Sequence, residues 1–127
     1  MTGTLITTRI SLTLCFMALL MLVSLIPGNP GPGDSAFIWM VAKTPTPVQK
    51  ILHVCLYGIL ALLWLWTLEA VQPATYRFLL AFIIAVAFGA AMEWCQTRVP
   101  GRFGTLYDVL LNSSGAAIGL VAGAFLL

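Results

Sequence analysis

The chain has 127 residues, 61% of them hydrophobic and 8% charged, with six Lys/Arg, four Asp/Glu and one His. An ordinary soluble domain carries about 25% charged residues, so this balance excludes a water-facing globule, a basic nucleic-acid-binding face and a disordered charged tail. A net charge of +2 and a mean hydropathy of +1.03 mark a chain that takes the bilayer as its solvent.

The length fits a single domain, 1–127. A helix needs about 20 mostly apolar residues to cross a ~30 Å hydrocarbon layer, and four runs qualify. The first, 10–26, is uncharged and stops at Pro27-Gly28-Asn29-Pro30. Arg9 ahead of it is compatible with a secretory signal peptide, but no small-x-small cleavage site follows, so a retained span is expected. The stretch from Pro27 to Gln49 is rich in proline and glycine and reads as a long extended loop. The second span, 51–68, is interrupted only by His53 and Tyr57. After a short turn with Pro73 comes the third, 76–94, with Arg77 and Glu93 just inside its ends. A loop containing Pro100-Gly101 and Gly104 leads to the fourth, 106–127, whose first third holds Asp108, Asn112, Ser113 and Ser114. The expected fold is all-α: a four-helix transmembrane bundle with both chain ends on one side.

Cys15, Cys55 and Cys95 are widely spaced and form no CxxC pair, which argues for small buried hydrophobes over disulfides or metal thiolates. Trp64, Trp66, Tyr76, Trp94 and Tyr107 fall near span ends, as an interfacial aromatic belt does. Ser113 and Ser114 are expected to bond back to the preceding turn of their helix.

Alternating spans run in opposite directions. The start of the second, the end of the third and the start of the fourth therefore share one membrane face. Lys50, His53 and Tyr57 lie there at i, i+3, i+7, on one side of a helix. Glu93 and Gln96 close the third span, Arg98 and Arg102 follow in the loop, and Asp108 and Asn112 open the fourth. Arg9, Asp34, Lys43, Glu69 and Arg77 remain, and read as solvated anchors. The stripe of Asp108 and Asn112 continues through Gly115, Gly119 and Gly123, a close-approach surface for a neighbouring helix. Glu93, Gly89 and Ala85 repeat the arrangement on the third span. A charge at the bilayer centre costs about 2.5–3.5 kcal/mol. Lys50, Arg102, Glu93 and Asp108 sum to zero, so a mutually paired cluster below the surface of one leaflet is expected.

Two readings of that rim stay open. Buried polar groups can pin helices in register, and intramembrane ionisable groups are also functional-site candidates. On the functional reading, Lys50 and Arg102 bind a phosphate or carboxylate, Arg102 being suited to a bidentate contact. Glu93 and Asp108 position them, while Tyr57, Gln96 and Asn112 orient by hydrogen bonding. His53 with Glu93 or Asp108 is the candidate pair for acid–base chemistry. No HExxH or His-rich spacing is present, so no metal and no cofactor is expected.

Lys50-x-x-His53-x-x-x-Tyr57-Gly58, Glu93-x-x-Gln96, Pro100-Gly101-Arg102 and Asp108-x-x-x-Asn112-x-x-Gly115 resemble, as an ordered set over 47 to about 120, the signature of the VanZ-like family. Pro47-Val48-Gln49 departs from it, since many relatives carry an Asp ahead of the lysine. The resemblance implies a small multi-pass protein of the cell envelope, in a family named for lowered susceptibility to teicoplanin, a glycopeptide that acts outside the cytoplasmic membrane. An envelope lipid or lipid-linked precursor is the implied ligand. The alternatives are an acid–base enzyme on such a lipid and a scaffold of an exopolysaccharide system. Small four-helix drug exporters carry a working carboxylate in their first helix, and the uncharged first run here disfavours export. Arg9 and Arg77 stand on one side against Lys43, Lys50, Arg98 and Arg102 on the other, so a plain positive-inside count puts the rim in the cytoplasm. Setting aside the motif residues Lys50 and Arg102 leaves the count even. The link to a drug acting outside then places the N-terminus in the cytoplasm and the rim on the outer face. The bilayer is the expected partner, with no nucleic acid, and the pattern implies no oligomeric state.

Overall fold

The computed structural model describes residues 2–126. It contains five helices, α1 (Gly3–Ser24), α2 (Ala36–Ala42), α3 (Thr46–Thr67), α4 (Ala74–Gln96) and α5 (Leu106–Leu126), and no strand among the described residues. Helices α1, α3, α4 and α5 are each long and apolar enough to cross a membrane, so the chain is an all-α, four-span bundle. Leu127, the last residue of the expected fourth span, lies outside the described residues.

Two boundaries differ from those drawn from hydropathy. The expected Pro/Gly-rich loop contains a helix, α2, whose N-terminus is capped by Ser35 Oγ accepting from the Ile38 amide at 3.3 Å. Helix α3 then starts at Thr46, with Pro47 in its first turn, where the missing N–H costs no helical hydrogen bond. Helix α1 begins at Gly3 instead of Ile10, because Thr2 Oγ1 caps it through the Leu5 amide. Arg9 therefore lies inside the first span.

Lipid gives helices no hydrophobic reward for associating, so close van der Waals packing of small residues has to hold them. Helix α3 is central, touching α1, α4 and α5. Its contact with α5 is backbone to backbone. A Cβ added at Gly115 would stand 2.8 Å from Val54 Cα, and one at Gly119 would stand 2.8 Å from Gly58 Cα. Gly123 seats against Leu62 and Leu65. On α4 the buried stripe Ala81, Ala85, Gly89 faces inward, and a Cβ at Gly89 would meet Tyr57 Cε1 at 2.9 Å. Leu60, Ala61, Leu65, Ala116 and Leu120 complete the core. Cys15 and Cys55 are exposed and Cys95 is half-buried, not the buried hydrophobes expected. Their positions fall on outward faces of the bundle, where lipid accepts a small thiol as readily as the core would.

At the end of the bundle that holds the α3–α4 turn, Arg9 and Arg77 are not solvated anchors either. The Arg9 side chain is 11% exposed; it pairs with Glu69, donates to the Trp66 carbonyl at 2.8 Å and lies over the Trp66 ring. Arg77 Nε donates to the Leu65 carbonyl at 2.7 Å. The last carbonyls of a helix lack intrahelical partners and carry partial negative charge, so α3's C-terminus draws both guanidinium groups. Beside them, the hydroxyls of buried Thr13 and of Thr67 bond at 2.7 Å and tie α1 to α3.

Candidate functional site

At the opposite end, the first turns of α3, the last turns of α4 and the first turns of α5 converge. Thr105 opens α5, with its Oγ1 accepting from the Asp108 amide at 3.1 Å. That places the Asp108 carboxylate at the positive end of the helix. Lys50 reaches across from α3, its Nζ 3.2 Å from Asp108 Oδ1 and 4.7 Å from the centre of the Tyr107 ring. The Thr105 amide donates back to Glu93 Oε2 at 3.3 Å, so one residue links α4's carboxylate to α5's N-terminus.

One turn deeper, His53 Nδ1 and Asn112 Oδ1 are 2.6 Å apart, and Nδ1 is 3.8 Å from Glu93 Oε1. With the amide oxygen accepting, neutral His53 carries its proton on Nδ1 and keeps a lone pair on Nε2. The Tyr57 ring lies nearly parallel to the imidazole, 11° off, at 6.5 Å between centroids. Glu93 and Asn112 are 4% and 1% exposed, and Asn112 Nδ2 has no hydrogen-bond partner. Ser113 and Ser114 bond back to Val109 and Leu110 in their own helix.

The structure divides the expected four-charge cluster. Lys50 pairs with Asp108, and Glu93 faces His53 and Thr105. Arg102 joins none of the ion pairs among the described residues. Its Nε donates to the Ile26 carbonyl at 2.7 Å and Nη2 to the Val23 carbonyl at 3.4 Å, holding the last turn of α1 and the residues just after it. Gln96 does the same through Nε2 to the Ser24 carbonyl at 3.0 Å, and the Gly28 amide bonds the Pro100 carbonyl at 2.9 Å. Burial pulls the Arg102 guanidinium below its usual pKa while the Glu93 carboxylate opposes that shift; an arginine so placed stays charged at physiological pH.

These groups surround a cavity of about 320 Å³ whose walls include Lys50, His53, Gln96, Arg102 and Asp108, together with Thr46 and Gln49. A second cavity of about 340 Å³ adjoins it, lined mainly by apolar side chains of α1, α2 and α3, among them Leu20, Val23, Met40, Val41, Leu52 and Leu56. The two share Gln49, His53, Gln96 and Arg102. Helix α2, Gln49 and Thr105 are site elements that hydropathy did not reveal. The capping pattern Thr105-x-x-Asp108 was the available signal for the last.

Chemically, the rim offers two cations to an anion, two carboxylates and an imidazole to a proton or a cation, and an apolar wall beside them. No curated protein and no solved structure matches the chain. The family model described as VanZ/LLP1 matches residues 6–127, nearly the whole chain, and with four spans carrying this rim the protein belongs to the VanZ/LLP1 family.

Proposed function

We propose that this multi-pass membrane protein engages the anionic head group of an envelope lipid or lipid-linked precursor in the polar cavity, with the lipid's tail in the apolar one. The observation that carries this reading is the junction of the two cavities at Gln49, His53, Gln96 and Arg102. A head group next to a hydrocarbon chain needs a charged compartment next to an apolar one. Lys50 is the mobile cation of the pair, with 37% of its side chain exposed. Arg102 is held by the Ile26 and Val23 carbonyls, which use two of the five N–H groups of its guanidinium. Gln96 and Asn112 orient, and Tyr57 supports the imidazole. The rim faces outward, with both termini in the cytoplasm, and engaging such a precursor there is the route by which teicoplanin susceptibility would change.

The test is lipid retention by the full chain in nanodiscs, read by native mass spectrometry. An anionic polyprenyl phosphate competes against a zwitterionic lipid. Selective retention of the anionic lipid is expected, and Lys50→Gln should reduce it about tenfold, the scale of one charge-assisted hydrogen bond. Equal retention of both lipids sinks the reading. Conversion of the retained lipid to a product would move the function to acid–base chemistry by His53 with Glu93 or Asp108. A reporter fused after Leu127 that is active outside the cytoplasm reverses the orientation.

A further inference from the structure

We propose that His53, Glu93 and Asp108 together bind one divalent transition cation of the Mn²⁺ or Zn²⁺ class on the inner side of the polar cavity. One ligand atom from each of these residues lies within 4.8 Å of the others. Ligands sharing a metal at about 2.0–2.2 Å stand roughly 3–3.6 Å from one another, so modest side-chain rotations close the site. One imidazole nitrogen with two carboxylate oxygens is a mixed donor set that suits Mn²⁺ and Zn²⁺. Chain spacing shows no metal motif because the three ligands come from three different helices.

Two further observations point the same way. Glu93 is almost fully buried, and among the described residues its one ion-pair partner is His53, a cation only when protonated. A carboxylate held inside the bundle with no fixed cation within ion-pair distance, Arg102 acting on it only from farther off, is costly, and a bound cation supplies the close partner. Asn112 is buried against the imidazole, with Oδ1 on His53 and Nδ2 unpartnered. Nδ1 also faces Glu93 Oε1 at 3.8 Å, so the contact with Asn112 holds the imidazole ring beside that carboxylate.

Lys50 is the competitor. Its ammonium occupies Asp108 Oδ1 and lies over the Tyr107 ring, but the side chain is partly exposed and can turn out to water. Removing it should tighten metal binding about tenfold, the effect in water of deleting a unit charge near a divalent ion. The same Lys50→Gln change weakens anionic-lipid retention, so the metal and lipid readings fail separately.

The experiment is titration of the tag-free full chain in detergent with Mn²⁺ followed by electron spin echo spectroscopy, and with Zn²⁺ followed by calorimetry, both without added lipid. His53 is the only histidine in the chain, so an imidazole ¹⁴N coupling to Mn²⁺ identifies it without any variant. One ion per chain with that coupling is expected, together with at least tenfold weaker Zn²⁺ binding in Glu93→Gln. Absence of saturable binding by either metal overturns the proposal. So does bound Mn²⁺ without ¹⁴N coupling, or Zn²⁺ affinity unchanged in Glu93→Gln.

Discussion

The two ends of the bundle use the same device and differ in what they leave over. Where α3 ends, Arg9 and Arg77 satisfy the terminal carbonyls of α3, with Glu69 balancing Arg9. At the rim, Gln96 satisfies the Ser24 carbonyl that ends α1, and Arg102 the Val23 carbonyl and that of Ile26 just past the helix. Guanidinium on a helix C-terminus is thus an architectural element of this fold at both ends. The rim alone adds Lys50, His53 and Asp108 around a cavity, with Glu93 buried behind His53. Polar groups that pin helices and polar groups that offer chemistry coexist here, and position in the bundle separates them.

The largest effect should come from the seam that serves both ends. Gly119→Leu pushes a branched side chain into the backbone of Gly58, and overpacking of this kind costs about 1–3 kcal/mol or more. Thermal unfolding in detergent should show a lower midpoint, and both Arg9-side and rim properties should fall together. Retention of full stability would mean α3 and α5 do not meet along their glycines.

Next in size, Arg9→Ala removes the charged donor from the Trp66 carbonyl, leaving it only the Glu69 amide at 3.4 Å, and takes the ion-pair partner from half-exposed Glu69. It should cost about 1–2 kcal/mol while leaving lipid and metal binding unchanged. The mirror experiment is Glu93→Gln. The amide oxygen can still accept from Thr105, so stability should change by less than about 1 kcal/mol while Zn²⁺ binding weakens at least tenfold. If Arg9→Ala impaired binding as strongly as Glu93→Gln, the division between the two ends would disappear. If Glu93→Gln left every activity intact, the rim would be a scaffold like its opposite.

This division was only half legible in the sequence. Span number and direction followed from apolar run length, and alternation of direction put Lys50, His53, Glu93 and Asp108 at one face. Helical spacing also marked Gly89, Gly115, Gly119 and Gly123 as contact positions. What escaped were interactions whose partner is backbone. Arg9 and Arg77 looked like solvated anchors, and Arg102 like an anion-binding member of the paired charge cluster, because no residue pattern displays the carbonyls of Trp66, Leu65, Val23 and Ile26 that receive them. Helix α2 escaped for another reason: its apolar heptad lies between proline- and glycine-rich stretches, and Ser35 was its one start signal.

The smallest predicted change sharpens the comparison most, because Arg102 belongs to both categories. Read as an anion-binding residue of the charge cluster, Arg102→Ala would abolish ligand engagement with the fold intact. Bonded to the Ile26 and Val23 carbonyls, it also fixes the end of α1 against the α4–α5 loop, so alanine confounds the two roles. Arg102→Lys separates them. The charge stays, but a lysine cannot reproduce the guanidinium fork, so one of the two carbonyl bonds is lost at a cost of about 0.5–1.5 kcal/mol. Stability should drop by that amount in a detergent unfolding series, and anionic-lipid retention should fall less than it does in Lys50→Gln. A larger fall in retention than in Lys50→Gln, at unchanged stability, would place the guanidinium on the ligand and leave α1's terminal carbonyls to another partner.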